Sequence, residues 1–163
     1  MRWRESSGRA AATIVGSAVV VLLGGLLHAQ QAEPPAKPED PAAAPALRTV
    51  WDGVYTEEQA KRGEALYRES CALCHGEALL GREMATPLTG PVFAATWNGV
   101  MLGDLVERMR MTMPQNRPGT LSRQQSADLL AFILSVGQFP AGKTELARQT
   151  EILNQIRFLA TRP

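Results

Sequence analysis

Residues 71 to 75 read Cys-Ala-Leu-Cys-His, and this C-x-x-C-H stretch constrains the chain more than any other. Two thiols one helical turn apart can add to the two vinyl groups of a single porphyrin. The histidine that follows can then rise beneath the ring and bind its iron. The pattern is the attachment signature of a c-type haem. It makes Cys71 and Cys74 the covalent anchors and His75 one axial ligand. A second axial ligand must come from elsewhere, and its identity separates electron transfer from ligand chemistry.

A C-x-x-C pair has two other common uses. A thioredoxin-like redox pair sits in an alternating strand–helix pattern, which is not seen around this one. A zinc site needs four donors. The chain of 163 residues has only two cysteines, both in the motif, and two histidines. The other histidine, His28, ends an apolar run, so no plausible four-donor set remains. With so few cysteines there is no disulfide framework either. The formal net charge is +1, which does not suggest a nucleic-acid partner.

The first 29 residues form a targeting segment. Arg2, Arg4 and Arg9 make a basic start, and residues 10–27 are almost wholly apolar or small. Cleavage after Ala29 is the preferred reading. The alternative is a retained membrane anchor, since the run is near the length that spans a bilayer. Either outcome puts the rest of the chain in the periplasm or on the periplasmic face of the membrane. Residues 30–49 are a proline- and alanine-rich linker, with Pro34, Pro35, Pro38, Pro41 and Pro45, expected to be extended.

A folded domain is expected over residues 50–140. Thr56 with Gln59 forms a capping box, and Glu57 and Glu58 suit the first turn of a helix over 57–69. Residues 76–91 hold Gly76, Gly81, Pro87 and Gly90 and read as a loop. A helix follows over 102–111, then a loop over 112–120. Ser122 with Gln125 caps a helix that runs to residue 136. The tail, 141–163, is expected to pack on the domain as a short helix or an extended strip. Three or four helices without alternating strands point to a small all-α fold built around its haem.

With these residues placed, the chain resembles the class I cytochromes c. Within them it is most similar to the small cytochrome c domains found with bacterial quinoprotein dehydrogenases. The likeness covers residues 50–140. It rests on Gly63, Tyr67, Cys71, Cys74, His75, Pro87-Leu88, Trp97, Thr112-Met113-Pro114, Pro118 to Ser122 and Asp128 to Leu134. It implies that the first and last helices cross where Gly63 and Tyr67 meet Leu129 and Phe132. It implies that Pro87 offers its carbonyl to the Nδ1 hydrogen of His75. It also suggests that Trp97 lies near the haem edge, although a plain core aromatic is an equal reading.

Methionine is the expected distal ligand. Met109, Met111 and Met113 lie close together, and spacing alone does not choose among them. Met113 sits in the loop before Pro114, where a thioether can reach the iron, and the family motif places its ligand at the matching position. Met111 is the runner-up, and Met109 suits a core position. Arg108, Arg110, Arg117 and Arg123 make this region basic. They form a solvated surface, pair with a propionate, or steer an acidic partner.

A His/Met haem c implies a single-electron carrier rather than an enzyme. Its partners would be redox proteins, with a dehydrogenase as donor and an oxidase or other acceptor. Two other readings stay open. One is a five-coordinate haem protein acting as gas sensor or peroxidase. The other is a non-catalytic haem subunit of a larger complex.

Overall fold

The computed structural model describes residues 47–83 and 85–163. The expected targeting segment and most of the expected linker lie outside these residues, as does Met84. The elements, in chain order, are β1 (Arg48–Thr49), α1 (Glu57–Ser70), α2 (Ala72–His75), α3 (Gly90–Trp97), α4 (Leu102–Thr112), α5 (Arg123–Val136), α6 (Thr150–Leu153) and β2 (Ile156–Arg157). Among the described residues the fold is all-α apart from two short strands, the architecture expected of a cytochrome c.

Helices α1 and α5 form the central pair. At α1, Thr56 Oγ1 accepts the Gln59 N–H at 3.2 Å, and Glu57 and Glu58 occupy the first turn. The expected reciprocal half of that capping box does not form. The Gln59 side chain is fully buried and turns to the tail instead. Its Nε2 donates to the Leu146 carbonyl at 3.0 Å, and its Oε1 accepts the Leu146 N–H at 2.6 Å. A buried amide that satisfies two buried backbone groups outweighs a cap bond that water can replace. At α5 the box is complete: Ser122 Oγ accepts from Gln125, and Gln125 Oε1 accepts the Ser122 N–H.

The two helices touch where α1 has no side chain. A Cβ on Gly63 would collide with the Asp128 carbonyl and lie 2.9 Å from Phe132 Cβ. The Tyr67 and Phe132 rings meet at 5.3 Å. The crossing expected at Leu129 and Phe132 is thus centred on Asp128 and Phe132. Asp128 also accepts a two-pronged ion pair from Arg62, at 3.1 and 3.0 Å, and Arg62 reaches Glu145 of the tail at 2.9 Å.

Helix α4 buries Leu102, Leu105 and Val106, each worth roughly 1.5–3 kcal/mol of apolar transfer. Its Gly103 lets α6 press close, since a Cβ there would strike the Asn154 side chain. The tail then returns to the start of the domain. β2 pairs with β1 in parallel, with Arg48 opposite Ile156 and Thr49 opposite Arg157. Two residues of the expected linker therefore belong to the fold.

Helix α3 occupies a stretch whose first two residues were expected to be loop. Thr89 is its N-cap, and Gly90 and Pro91 begin it. Pro91 needs no N–H partner in a first turn, so it fits there.

Candidate haem site

The motif forms its own short helix. Cys71 ends α1, its N–H donating to the Tyr67 carbonyl at 2.8 Å, and α2 carries Cys74 and His75. Both cysteines are free thiols, with Cys71 half-buried and Cys74 exposed. Burial, helped by the nearby Cys74, pushes the Cys71 thiol up to about 11. Gly76, at φ +77°, closes the turn.

Four hydrogen bonds fix the end of α2. The Gly76 carbonyl accepts the Tyr67 hydroxyl at 2.7 Å and the Leu79 N–H at 3.2 Å. The His75 carbonyl accepts the Gly81 N–H at 2.9 Å. The imidazole Nδ1 donates to the Thr86 carbonyl at 2.9 Å. A carbonyl oxygen can only accept, so the ring hydrogen resides on Nδ1. In the neutral form of the imidazole the lone pair is then on Nε2, which suits a metal ligand.

The resemblance implied that Pro87 would supply that carbonyl; the structure assigns the bond to Thr86, one residue earlier. The reason lies in how the loop is pinned. Gly81 adopts φ +77°, and residues 85–87 lie so close against it that a Cβ would strike the Ala85 carbonyl. The Leu88 N–H is tied to the Leu79 carbonyl at 2.8 Å. In that register the Thr86 carbonyl faces the ring.

Met113 is the C-cap of α4. Its N–H donates to Met109 at 2.8 Å while its own backbone is extended, at φ −121° and ψ 152°. It is half-buried and is joined to Pro114 by a cis bond. Met109 packs against the core, and Met111 is 62 % exposed. Arg110 lies in the last turn of α4, where it pairs with Glu107 at 2.9 Å. Arg108, Arg117 and Arg123 are exposed. Trp97 ends α3, half-buried, with its ring 6.3 Å from Phe93.

A cavity of about 180 Å³ lies elsewhere in the domain, and none of Cys71, Cys74, His75 and Met113 lines it. Leu88, Phe93, Ile133, Trp51, Phe139 and Phe158 are among the residues that line it. Sequence reasoning had assigned no role to the last three. Trp51 and Phe158 are far apart in sequence, and no local pattern joins them.

The donor set fits a c-type haem. Two thiols of one turn and a histidine whose Nε2 has no partner among the described residues would hold it. Bound there, the haem supplies a one-electron iron couple.

Residues 58–133 match the family model described as cytochrome c oxidase, cbb3-type, subunit III. No curated protein and no solved structure matches the chain. The family match implies a c-type haem and haem-based electron transfer rather than substrate turnover. The match supports a class I-like c-type cytochrome domain over residues 58–133.

Proposed function

We propose that the chain carries one haem, joined by thioethers to Cys71 and Cys74, with His75 and Met113 as its axial ligands. It works as a periplasmic single-electron carrier between a dehydrogenase or similar donor and a respiratory acceptor. The observation that carries this reading is the Nδ1 bond of His75 to the Thr86 carbonyl, in a C-x-x-C-H turn. It supports metal ligation through Nε2, the nitrogen left without that bond.

His/Met ligation leaves no open position on the iron. The soft thioether favours the ferrous state and raises the potential. The residues of the chain bury the ring, fix the ligands and leave an edge for contact. The matched family is named for an oxidase subunit, which supports a respiratory acceptor. The basic start and apolar run of residues 1–29 support delivery to the periplasm. Contact with partners would be small and transient.

Mass spectrometry of the denatured holoprotein tests the attachment. One haem retained after unfolding supports it, and its loss in a Cys71→Ser, Cys74→Ser double variant assigns the two thioethers. Carbon monoxide tests the alternative: an unreacting ferrous protein argues against an open iron.

A further inference from the structure

Tyr67 uses two parts of its side chain for two different contacts. Its ring meets the Phe132 ring at 5.3 Å, where α1 and α5 cross. A phenylalanine ring would fill that space as well. The hydroxyl serves something the crossing does not need. It is buried and donates to the Gly76 carbonyl at 2.7 Å.

Gly76 follows His75 and is the C-cap of α2. Its carbonyl is a junction. An oxygen with two lone pairs can take two donors, and this one takes the Tyr67 hydroxyl and the Leu79 N–H, the latter at 3.2 Å. The Leu79 carbonyl in turn accepts the Leu88 N–H at 2.8 Å. Leu88 lies two residues after Thr86, whose carbonyl accepts the Nδ1 hydrogen of His75. The bonds thus run from Tyr67 through Gly76 and Leu79 to the part of the loop that faces the imidazole. Tyr67 also holds the front of the motif, because its own carbonyl accepts the Cys71 N–H at 2.8 Å. One residue of α1 grips the C-x-x-C-H turn at both ends.

We infer that Tyr67 is a positioning residue for the axial histidine: its hydroxyl, acting through the Gly76 carbonyl, holds the loop that presents the Thr86 carbonyl to His75. The inference rests on the proposed reading of His75 as a haem ligand. Without the hydroxyl, the buried Gly76 carbonyl keeps one donor of two, and the loop loses a fastening at its start. The Nδ1 bond then opens more often. A carbonyl partner makes the bound imidazole more basic, which favours ferric iron, so a looser partner favours ferrous iron.

The test uses the full-length holoprotein with Tyr67→Phe and Tyr55→Phe. Tyr55 is the other tyrosine of the chain and is also buried. Its hydroxyl donates to the Phe139 carbonyl at 2.7 Å, outside the motif and its loop. Each variant therefore loses one oxygen and one hydroxyl–carbonyl bond. NMR of the ferrous protein follows exchange of the His75 Nδ1 hydrogen with water, redox titration gives the midpoint potential, and thermal unfolding gives Tm. Tyr67→Phe should release the Nδ1 hydrogen about tenfold faster. It should favour ferrous iron about threefold, a rise of about 28 mV for one electron. Tyr55→Phe should lower Tm as Tyr67→Phe does while keeping the wild-type exchange and potential.

Wild-type exchange and potential in Tyr67→Phe, with haem and both ligands in place, overturn the inference and leave the His/Met reading standing. Changes in Tyr55→Phe as large as those in Tyr67→Phe overturn it as well. Wild-type protein without haem overturns both the inference and that reading. Should Tyr67→Phe not accumulate, 3-fluorotyrosine fed to the Tyr55→Phe variant enters position 67 alone. Its more acidic hydroxyl donates more strongly, so Nδ1 exchange should slow, and an unchanged rate overturns the inference.

Discussion

The Nδ1 nitrogen of His75 lies 2.9 Å from the carbonyl oxygen of Thr86. A bond of this kind orients the ring and makes Nε2 more basic, which strengthens its hold on ferric iron. The Thr86 carbonyl cannot be removed by mutating its own side chain. The loop that presents it can be shifted through Gly81.

Gly81→Ala would push a methyl group into the Ala85 carbonyl at a φ of +77° that suits glycine. The loop must move and the Nδ1 bond must lengthen. A less basic imidazole favours ferrous iron, so the midpoint potential should rise while Tm falls. Redox titration of the variant holoprotein checks the sign.

Gly63→Ala is the sharpest test of the helix crossing. Its methyl group would fall on the Asp128 carbonyl, and a backbone cannot swing aside as a side chain can. Overpacking of this kind costs about 1–3 kcal/mol and occasionally more. Denaturant unfolding should show at least that loss, although Ala is the better helix former.

Gln59→Ala should release the tail. The Leu146 N–H and carbonyl would both lose their partner while buried, at about 1–3 kcal/mol for each group left unpaired. Hydrogen exchange at Leu146 should accelerate, and limited proteolysis should enter the tail first.

Tyr67 gives a pH dependence of defined sign. Burial first, then the neighbouring Cys71 thiolate and Glu77, pushes its hydroxyl from 10 up to about 12. Burial acts whether or not Cys71 is capped as a thioether. Between those values the folded chain keeps a proton that the unfolded chain has released. The stability this confers is whole below about pH 10 and is lost as pH rises through about 12. Tyr67→Phe keeps the ring against Phe132 but removes the hydroxyl bond to Gly76. Its Tm should be lower at neutral pH and should fall less steeply between pH 10 and 12.

The parts of this fold written in local pattern were legible in the sequence. The C-x-x-C-H turn, the Ser122–Gln125 box and the apolar faces of α4 and α5 each declare themselves within a few residues. Helix α3 was less visible because its buried residue, Phe93, gives no repeat, and because Gly90 and Pro91 read as loop. The sequence Thr89-Gly90-Pro91 held the signal, an N-cap residue followed by proline in the first turn. Gln59 obeyed half of a local rule and gave its side chain to a residue 87 positions away. The Trp51–Leu159 bond spans 108 positions, and no periodicity encodes such a pairing. Which carbonyl meets His75 depends on backbone angles at Gly81, which a motif does not contain.

Distal ligation by Met113 is tested most directly by the absorption spectrum of the oxidised holoprotein. Ferric iron bound to methionine sulfur gives a weak far-red band. With Met113 on the iron, that band is present in the wild type, is retained in Met111→Ala and is lost in Met113→Ala. A band that survives Met113→Ala, or one absent from the wild type, would contradict it.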